Sequence, residues 1–192
     1  MKYIAFVGCD GSGKTYTKDK VIEILKKNNK KVYYEYGGIK KFRYLKFLNP
    51  ILRRNVNKKV SKGQSKDTIK YTNPIIKFIS PFIYYIEHFC RYVEYSFKQN
   101  KYDYFISDRG YIDIVVSPNV NNKIAYFLYI FLPKPKQILM FNDLEVIYKR
   151  RNDHPKKYLK KLHNDYLQYR DWYYSLVKSD KDAILNIMLL IQ

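Results

Sequence analysis

The stretch GCDGSGKT, running from Gly8 to Thr15, restricts the fold of this chain more than any other. It matches G-x-x-x-x-G-K-[ST] in full at Gly8, Gly13, Lys14 and Thr15. An apolar run, KYIAFV at 2–7, precedes it and reads as a buried strand. From Gly13 to about Asn29, Val21, Ile22, Ile24 and Leu25 stand among charges at helical spacing. Strand, glycine loop and helix is the order in which successive backbone N–H groups curl around phosphate oxygens, with the positive end of the helix dipole behind them. The spacing therefore predicts a nucleoside triphosphate site, with Gly8, Gly11, Ser12 and Gly13 cradling phosphates. Lys14 is placed to reach the β- and γ-phosphates of ATP and Thr15 to set its hydroxyl on Mg²⁺. Asp10 is out of character there, because a carboxylate among phosphate-binding amides repels the ligand. A hydroxyl, a metal-bound water or a cation facing it resolves the conflict, and a place beside the acceptor substrate fits that need; a solvent-facing loop position is the plain alternative.

The rest of the chain continues the alternation. KVYYEY at 31–36 reads as a second strand ending at Gly37-Gly38, YDYFIS at 102–107 as a third and KQILMF at 136–141 as a fourth. AILNIMLLI at 183–191 is apolar enough for a fifth, buried strand. Helices are expected over 39–54 on either side of Pro50, from Pro74 to about Lys98 with a kink at Pro81, and over 121–132, 143–152 and 155–178. Residues 55–68 hold almost nothing apolar and are expected to form a mobile loop. Strands alternating with helices imply a parallel sheet of about five strands covered on both faces, one three-layer α/β/α domain over residues 1–192.

Composition excludes several classes. With 46% hydrophobic and 18% aromatic residues the chain is neither disordered nor collagen-like. The greasy segments 75–89 and 124–132 fall short of the ~20 apolar residues of a spanning helix. Two cysteines, Cys9 and Cys90, make no disulfide framework and fit a reducing cytoplasm, and the run before Gly8 is too short for a signal peptide. His88, His154 and His163 lack zinc-site spacing. The formal charge of +20 attracts polyanions non-specifically, although abundant Lys, Asn, Ile and Tyr also reflect A/T-rich codons.

Two further segments bear on chemistry. SDRGYID at 107–113 ends a strand in Asp108-Arg109, at the sheet edge where α/β proteins bind ligands. Asp108 suits a water-bridged Mg²⁺ or an oriented nucleophile, and Arg109 can fork onto an acceptor phosphate; a structural salt bridge is the alternative. YKRRNDHPKK at 148–157 puts Arg150 and Arg151 beside a Pro-broken junction, which suits a helical lid over about 148–160 or simply a solvated basic helix end.

GCDGSGKT, SDRGYID and the basic RRND after ILMFND together resemble the thymidylate kinase family of P-loop nucleoside monophosphate kinases, in that order and over nearly the whole chain. The resemblance implies transfer of the ATP γ-phosphate to a nucleoside monophosphate such as dTMP, and a P-loop NTPase fold. It places Asp10, Glu35, Arg91 and Arg109 at the acceptor, Asp108 in the metal shell, and the catalytic arginine at Arg150 or Arg151. Members are commonly homodimers. The chain departs from the family at Tyr34-Glu35-Tyr36-Gly37-Gly38, where an arginine and a proline are missing, and at Asp108-Arg109-Gly110, where the aromatic Tyr111 comes one place late. Two other readings stand beside this one: a kinase of a different acceptor, and a nucleotide-switched nucleic-acid-binding protein.

Overall fold

The computed structural model describes residues 2–38, 42–48, 74–117, 120–180 and 182–191. Five strands, β1 (Lys2–Val7), β2 (Val32–Tyr36), β3 (Tyr104–Asp108), β4 (Lys136–Phe141) and β5 (Ser175–Lys178), form one sheet in the order β2-β3-β1-β4-β5. Every pairing is parallel. Seven helices accompany them among the described residues: α1 (Lys14–Lys27), α2 (Pro74–Lys98), α3 (Tyr111–Val115), α4 (Asn122–Ile130), α5 (Leu144–Arg150), α6 (Lys156–Leu167) and α7 (Ala183–Ile191).

Alternation along the central strands builds two cores. Ile4 and Phe6 of β1, with Ile138 and Met140 of β4, face Val21 and Leu25 of α1 and Ile187 and Ile191 of α7. Ala5, Val7 and Leu139 face the other way, onto Tyr84, Ile112, Tyr129, Ile147, Leu159 and Tyr166. Helices thus cover both faces of the sheet. Register aligns Phe6, Tyr36 and Asp108 in one row, so the loops after β1, β2 and β3 leave the same edge together. The loop after β1 leads to α1 on one face, while that after β3 leads to α3 on the opposite face. Such a divergence opens the crevice where α/β sheets take ligands.

Pro81 lies inside α2, whose helical assignment continues through it. Its missing N–H frees the carbonyl of Lys77, which accepts instead from the Asn121 amide at 3.1 Å and the Ser80 hydroxyl at 3.3 Å. The proline thereby docks the start of α4 against α2.

The carboxyl-terminal third corrects two expectations. The segment 155–178 is not one helix: α6 ends at Leu167, a 3₁₀ turn spans Arg170–Trp172, and Ser175–Lys178 is β5. The segment 183–191 is α7 rather than the fifth strand. β5 is a four-residue edge with only Val177 buried, so it carries no apolar run to betray it. In AILNIMLLI the buried Ala183, Ile187, Met188 and Ile191 recur at helical spacing while Leu185 and Leu189 face solvent. A short, continuously apolar run hides that period, because either element fits it. Of residues 39–54 only 42–48 are described, and there Lys46–Leu48 is a 3₁₀ turn; the loop expected at 55–68 lies outside the described residues. The 148–160 segment spans the end of α5, a turn and the start of α6, anchored in the core by fully buried Ile147 and Leu159.

Candidate functional site

The sheet edge gathers residues more than a hundred positions apart into one cavity of about 530 Å³. Asp10, Gly11, Gly13, Lys14, Thr15, Tyr16, Tyr36, Asp108, Arg109, Arg150, Arg151 and Ser179 line it. Cations outnumber carboxylates in that lining, so it favours an anion.

The loop is shaped by backbone that side chains would not tolerate. Gly8 has φ 135° and Gly13 φ 94°. A Cβ on Gly8 would lie 2.3 Å from the Met140 carbonyl oxygen, and one on Gly13 would lie 2.1 Å from the Ser179 hydroxyl. Ser12 is fully buried and its hydroxyl has no hydrogen-bond partner. An orphaned buried hydroxyl is costly, so a ligand or water that satisfies it gains correspondingly.

Lys14 opens α1 and folds its ammonium back across the loop, donating to the carbonyls of Gly8 and Cys9 at 2.7 Å each. Burial, and after it the Arg109 charge, pull its pKa down to about 8, against the opposing pull of Asp10 at 3.8 Å. Burial alone would raise the Asp10 carboxyl, but Arg109 and then Lys14 outweigh it and bring it to about 2. Asp10 thus faces cations, one of the three partners that resolve its presence in the loop. Burial pushes the neighbouring Cys9 thiol up to about 11.

Arg109 has φ 85°, a left-handed backbone that costs a non-glycine residue about 1–2 kcal/mol. The guanidinium is pinned by three elements. It pairs with Asp10 of the loop, with Asp113 of α3 at 2.9 Å, and donates to the Tyr166 hydroxyl of α6 at 3.4 Å. Asp113 also accepts from the Gly110 amide at 2.7 Å and from the Tyr166 hydroxyl, closing the network. Asp108 is held by Lys18 at 3.2 Å, and Lys18 in turn reaches Asp19 at 3.1 Å and the Tyr34 hydroxyl at 3.1 Å. From α5, Arg150 donates to the Gly11 carbonyl at 3.3 Å. Arg151 packs its side chain over Gly11 and bonds to His154 at 2.6 Å.

Nearly all the residues singled out in the sequence meet here. Glu35 and Arg91 do not line this cavity. They pair at 2.8 Å in a second cavity of about 660 Å³, lined also by Tyr33, Tyr34, Phe42, Arg43 and Lys46, with Tyr36 shared between the two. Arg91 further holds Glu87 at 2.8 Å and the Tyr36 carbonyl at 3.0 Å. Glu87 accepts from the amides of Arg43, Tyr44 and Leu45 at 2.7, 3.0 and 3.1 Å, so this network shapes the second cavity's wall. Sequence reasoning missed Lys18, Tyr166 and Ser179, and left Asp113 without a role. Only Asp113 carried a usable signal: an acidic residue three positions after Gly110 suits the first turn of a helix and can reach back to its start.

No protein-family model matches the chain, and no curated protein sequence matches it either.

Proposed function

We propose that the chain is an ATP- and Mg²⁺-dependent phosphotransferase with a P-loop NTPase fold, moving the γ-phosphoryl group to a nucleoside monophosphate. dTMP is the acceptor that the resemblance to thymidylate kinases implies. One observation carries this reading. The glycine loop, Lys14, the Asp108-Arg109 pair and the two arginines at the end of α5 share a single cavity that is rich in positive charge.

The residues fit the ligands asked of them. A cradle closed to any Cβ and a buried hydroxyl without a partner suit phosphate oxygens brought close to the backbone. Thr15, exposed at the cavity, and Asp108 offer the hard oxygen donors that Mg²⁺ takes alongside water and phosphate. When bound, Mg²⁺ supplies neutralisation of the charge developing on the transferring group. Lys14 would contribute its ammonium to the donor phosphates. Asp10 and Asp113 hold Arg109 ready for the acceptor's phosphate, and Arg150 and Arg151 stand over the same loop, able to balance charge in transit. Catalysis of this kind is positioning and electrostatics, with no covalent work for the protein. Incubating the full chain with ATP, Mg²⁺ and a panel of monophosphates tests the reading, with dTDP and ADP expected in equal amounts. Another diphosphate would assign a different acceptor. No transfer to any monophosphate, with salt-steep retention on DNA or RNA, would replace the kinase by a nucleotide-switched binding protein.

Lys14 also predicts a pH dependence. The ammonium form is the one that attracts triphosphate, and in the free protein it is lost as pH rises through about 8. A bound polyanion favours the charged form, so binding takes up a proton above that pH. Affinity for MgATP should be flat below about pH 7 and fall up to about tenfold per unit above pH 8. Cys9, at about 11, titrates outside this window. Affinity unchanged up to about pH 10 would refute the assignment of Lys14 to the phosphates.

A further inference from the structure

Lysine is rarely buried without a partner, and among the described residues only Lys14 and Lys18 are buried lysines. Lys14 has its place in the loop. Lys18, one helical turn further along α1, has no part in the chemistry given so far. The buried residues of that helix are Lys14, Thr17, Lys18, Val21 and Leu25, at the spacing of one sheet-facing stripe. Lys18 thus takes a position of the kind that Val21 and Leu25 fill further along. An ammonium has three N–H donors, and three oxygens surround this one. They are Asp108 Oδ2 at 3.2 Å, Asp19 Oδ1 at 3.1 Å and the Tyr34 hydroxyl at 3.1 Å. No donor is left over for a phosphate, and Lys18 is not among the residues lining the cavity. Its influence on the site runs through Asp108, which does line it.

We propose that Lys18 sets the metal preference of the site: by holding one oxygen of Asp108 it leaves a single-oxygen donor, which suits Mg²⁺ and penalises Ca²⁺. The role rests on the placement of Mg²⁺ at Thr15 and Asp108 and adds a positioning residue behind it. Lys18 occupies Oδ2, while Oδ1 of Asp108 has no hydrogen-bond partner among the described residues and is the oxygen free to meet an ion. Mg²⁺ demands a near-octahedral set of about six oxygens and keeps several waters, so one carboxylate oxygen serves it. Ca²⁺ accepts up to about eight oxygens at longer range and takes carboxylates by both oxygens. A two-oxygen clasp on Asp108 would compete with Lys18 for Oδ2 and set the ion against its ammonium, like charge against like. Both partners stand on regular elements. Lys18 projects from α1, and Asp108 ends β3 with its main chain aligned between Phe6 and Tyr36 of the flanking strands.

Electron paramagnetic resonance of Mn²⁺ bound to the full chain with a non-hydrolysable ATP analogue tests this without turnover. Mg²⁺ or Ca²⁺ is titrated in to displace the Mn²⁺, and the ratio of their affinities is compared with that for the analogue alone. The unaltered protein should raise the preference for Mg²⁺ over Ca²⁺ by about tenfold, the scale on which partners of a metal ligand act. Lys18→Met should return the ratio to near that of the analogue alone. Looser orientation of Asp108 and relief of the opposing charge act on both ions, whereas the two-oxygen clasp favours one, so a merely structural role would not move the ratio. Tyr34→Phe, at a position 46% exposed, keeps the pair with Asp108 and removes one of the three oxygens that hold Lys18. It should shift the ratio part of the way, and it decides if Lys18→Met does not fold. A ratio that the unaltered protein leaves at the analogue's own value would overturn the proposal, and so would a ratio indifferent to the deciding variant. Binding of analogue and metal without preference removes this role alone; protein that takes up neither removes the phosphotransferase reading with it.

Discussion

Lys14→Ala is expected to lower phosphoryl transfer by about 10²–10³-fold or more while leaving the fold intact. The ammonium is the one cation placed within the glycine loop, held over it by the carbonyls of Gly8 and Cys9. Burial already disfavours its charge, as its lowered pKa shows, so removing it relieves a desolvation cost that offsets the two lost hydrogen bonds. Lys14 itself lines the cavity, so truncating its side chain opens a path for water to the carbonyls left behind. Melting temperature should therefore move by only a few degrees while MgATP affinity and turnover collapse. A Lys14→Ala protein that transfers phosphate normally would remove the loop from the chemistry. A variant that merely unfolds would show that Lys14 is structural.

The second large effect is expected at Arg109, and glycine rather than alanine is the informative replacement. The left-handed backbone there suits glycine, so Arg109→Gly removes the guanidinium without adding strain, whereas alanine keeps the strain. Loss of a charged hydrogen-bonding partner of the acceptor phosphate is worth about 1.5–3 kcal/mol, or roughly 10- to 100-fold in kcat/KM for the acceptor. Affinity for MgATP should change little, since Asp10 retains Lys14 at 3.8 Å. Steady-state kinetics with each substrate varied in turn separates the two. Equal losses for donor and acceptor, or none, would contradict the role given to Arg109.

The amino-terminal half of the site was legible because its signals are local. Glycine spacing, an apolar strand before the loop and a helical period after it lie within thirty residues, and four of the five register-aligned pairs of β1 and β3 fall inside segments read as strands, the fifth reaching Asp108, one place past the expected end. The other end of the chain misled because its cues are tertiary. β5 is a strand only because β4 offers it an edge, and α7 is a helix because α1 and Val177 leave room for one apolar face and not two. The support around the site was hidden for a different reason. Lys18 is one of 37 basic residues and Tyr166 one of 22 tyrosines, so composition masks them. Their partners, Asp108 and Asp113, lie ninety and fifty-three positions away, and no spacing rule connects them. Glu35 and Arg91, each assigned to the acceptor through the family resemblance, pair with one another in the neighbouring cavity instead of lining the one beside the loop, a contact that no spacing in the sequence announces.

Isothermal titration of the full chain with MgATP most directly tests whether the Gly8–Thr15 loop grips the donor's phosphates. The account predicts saturable one-site binding that Lys14→Ala abolishes and that weakens as pH rises through about 8. Well-folded protein that takes up no MgATP, or that binds it equally well without Lys14, would contradict it.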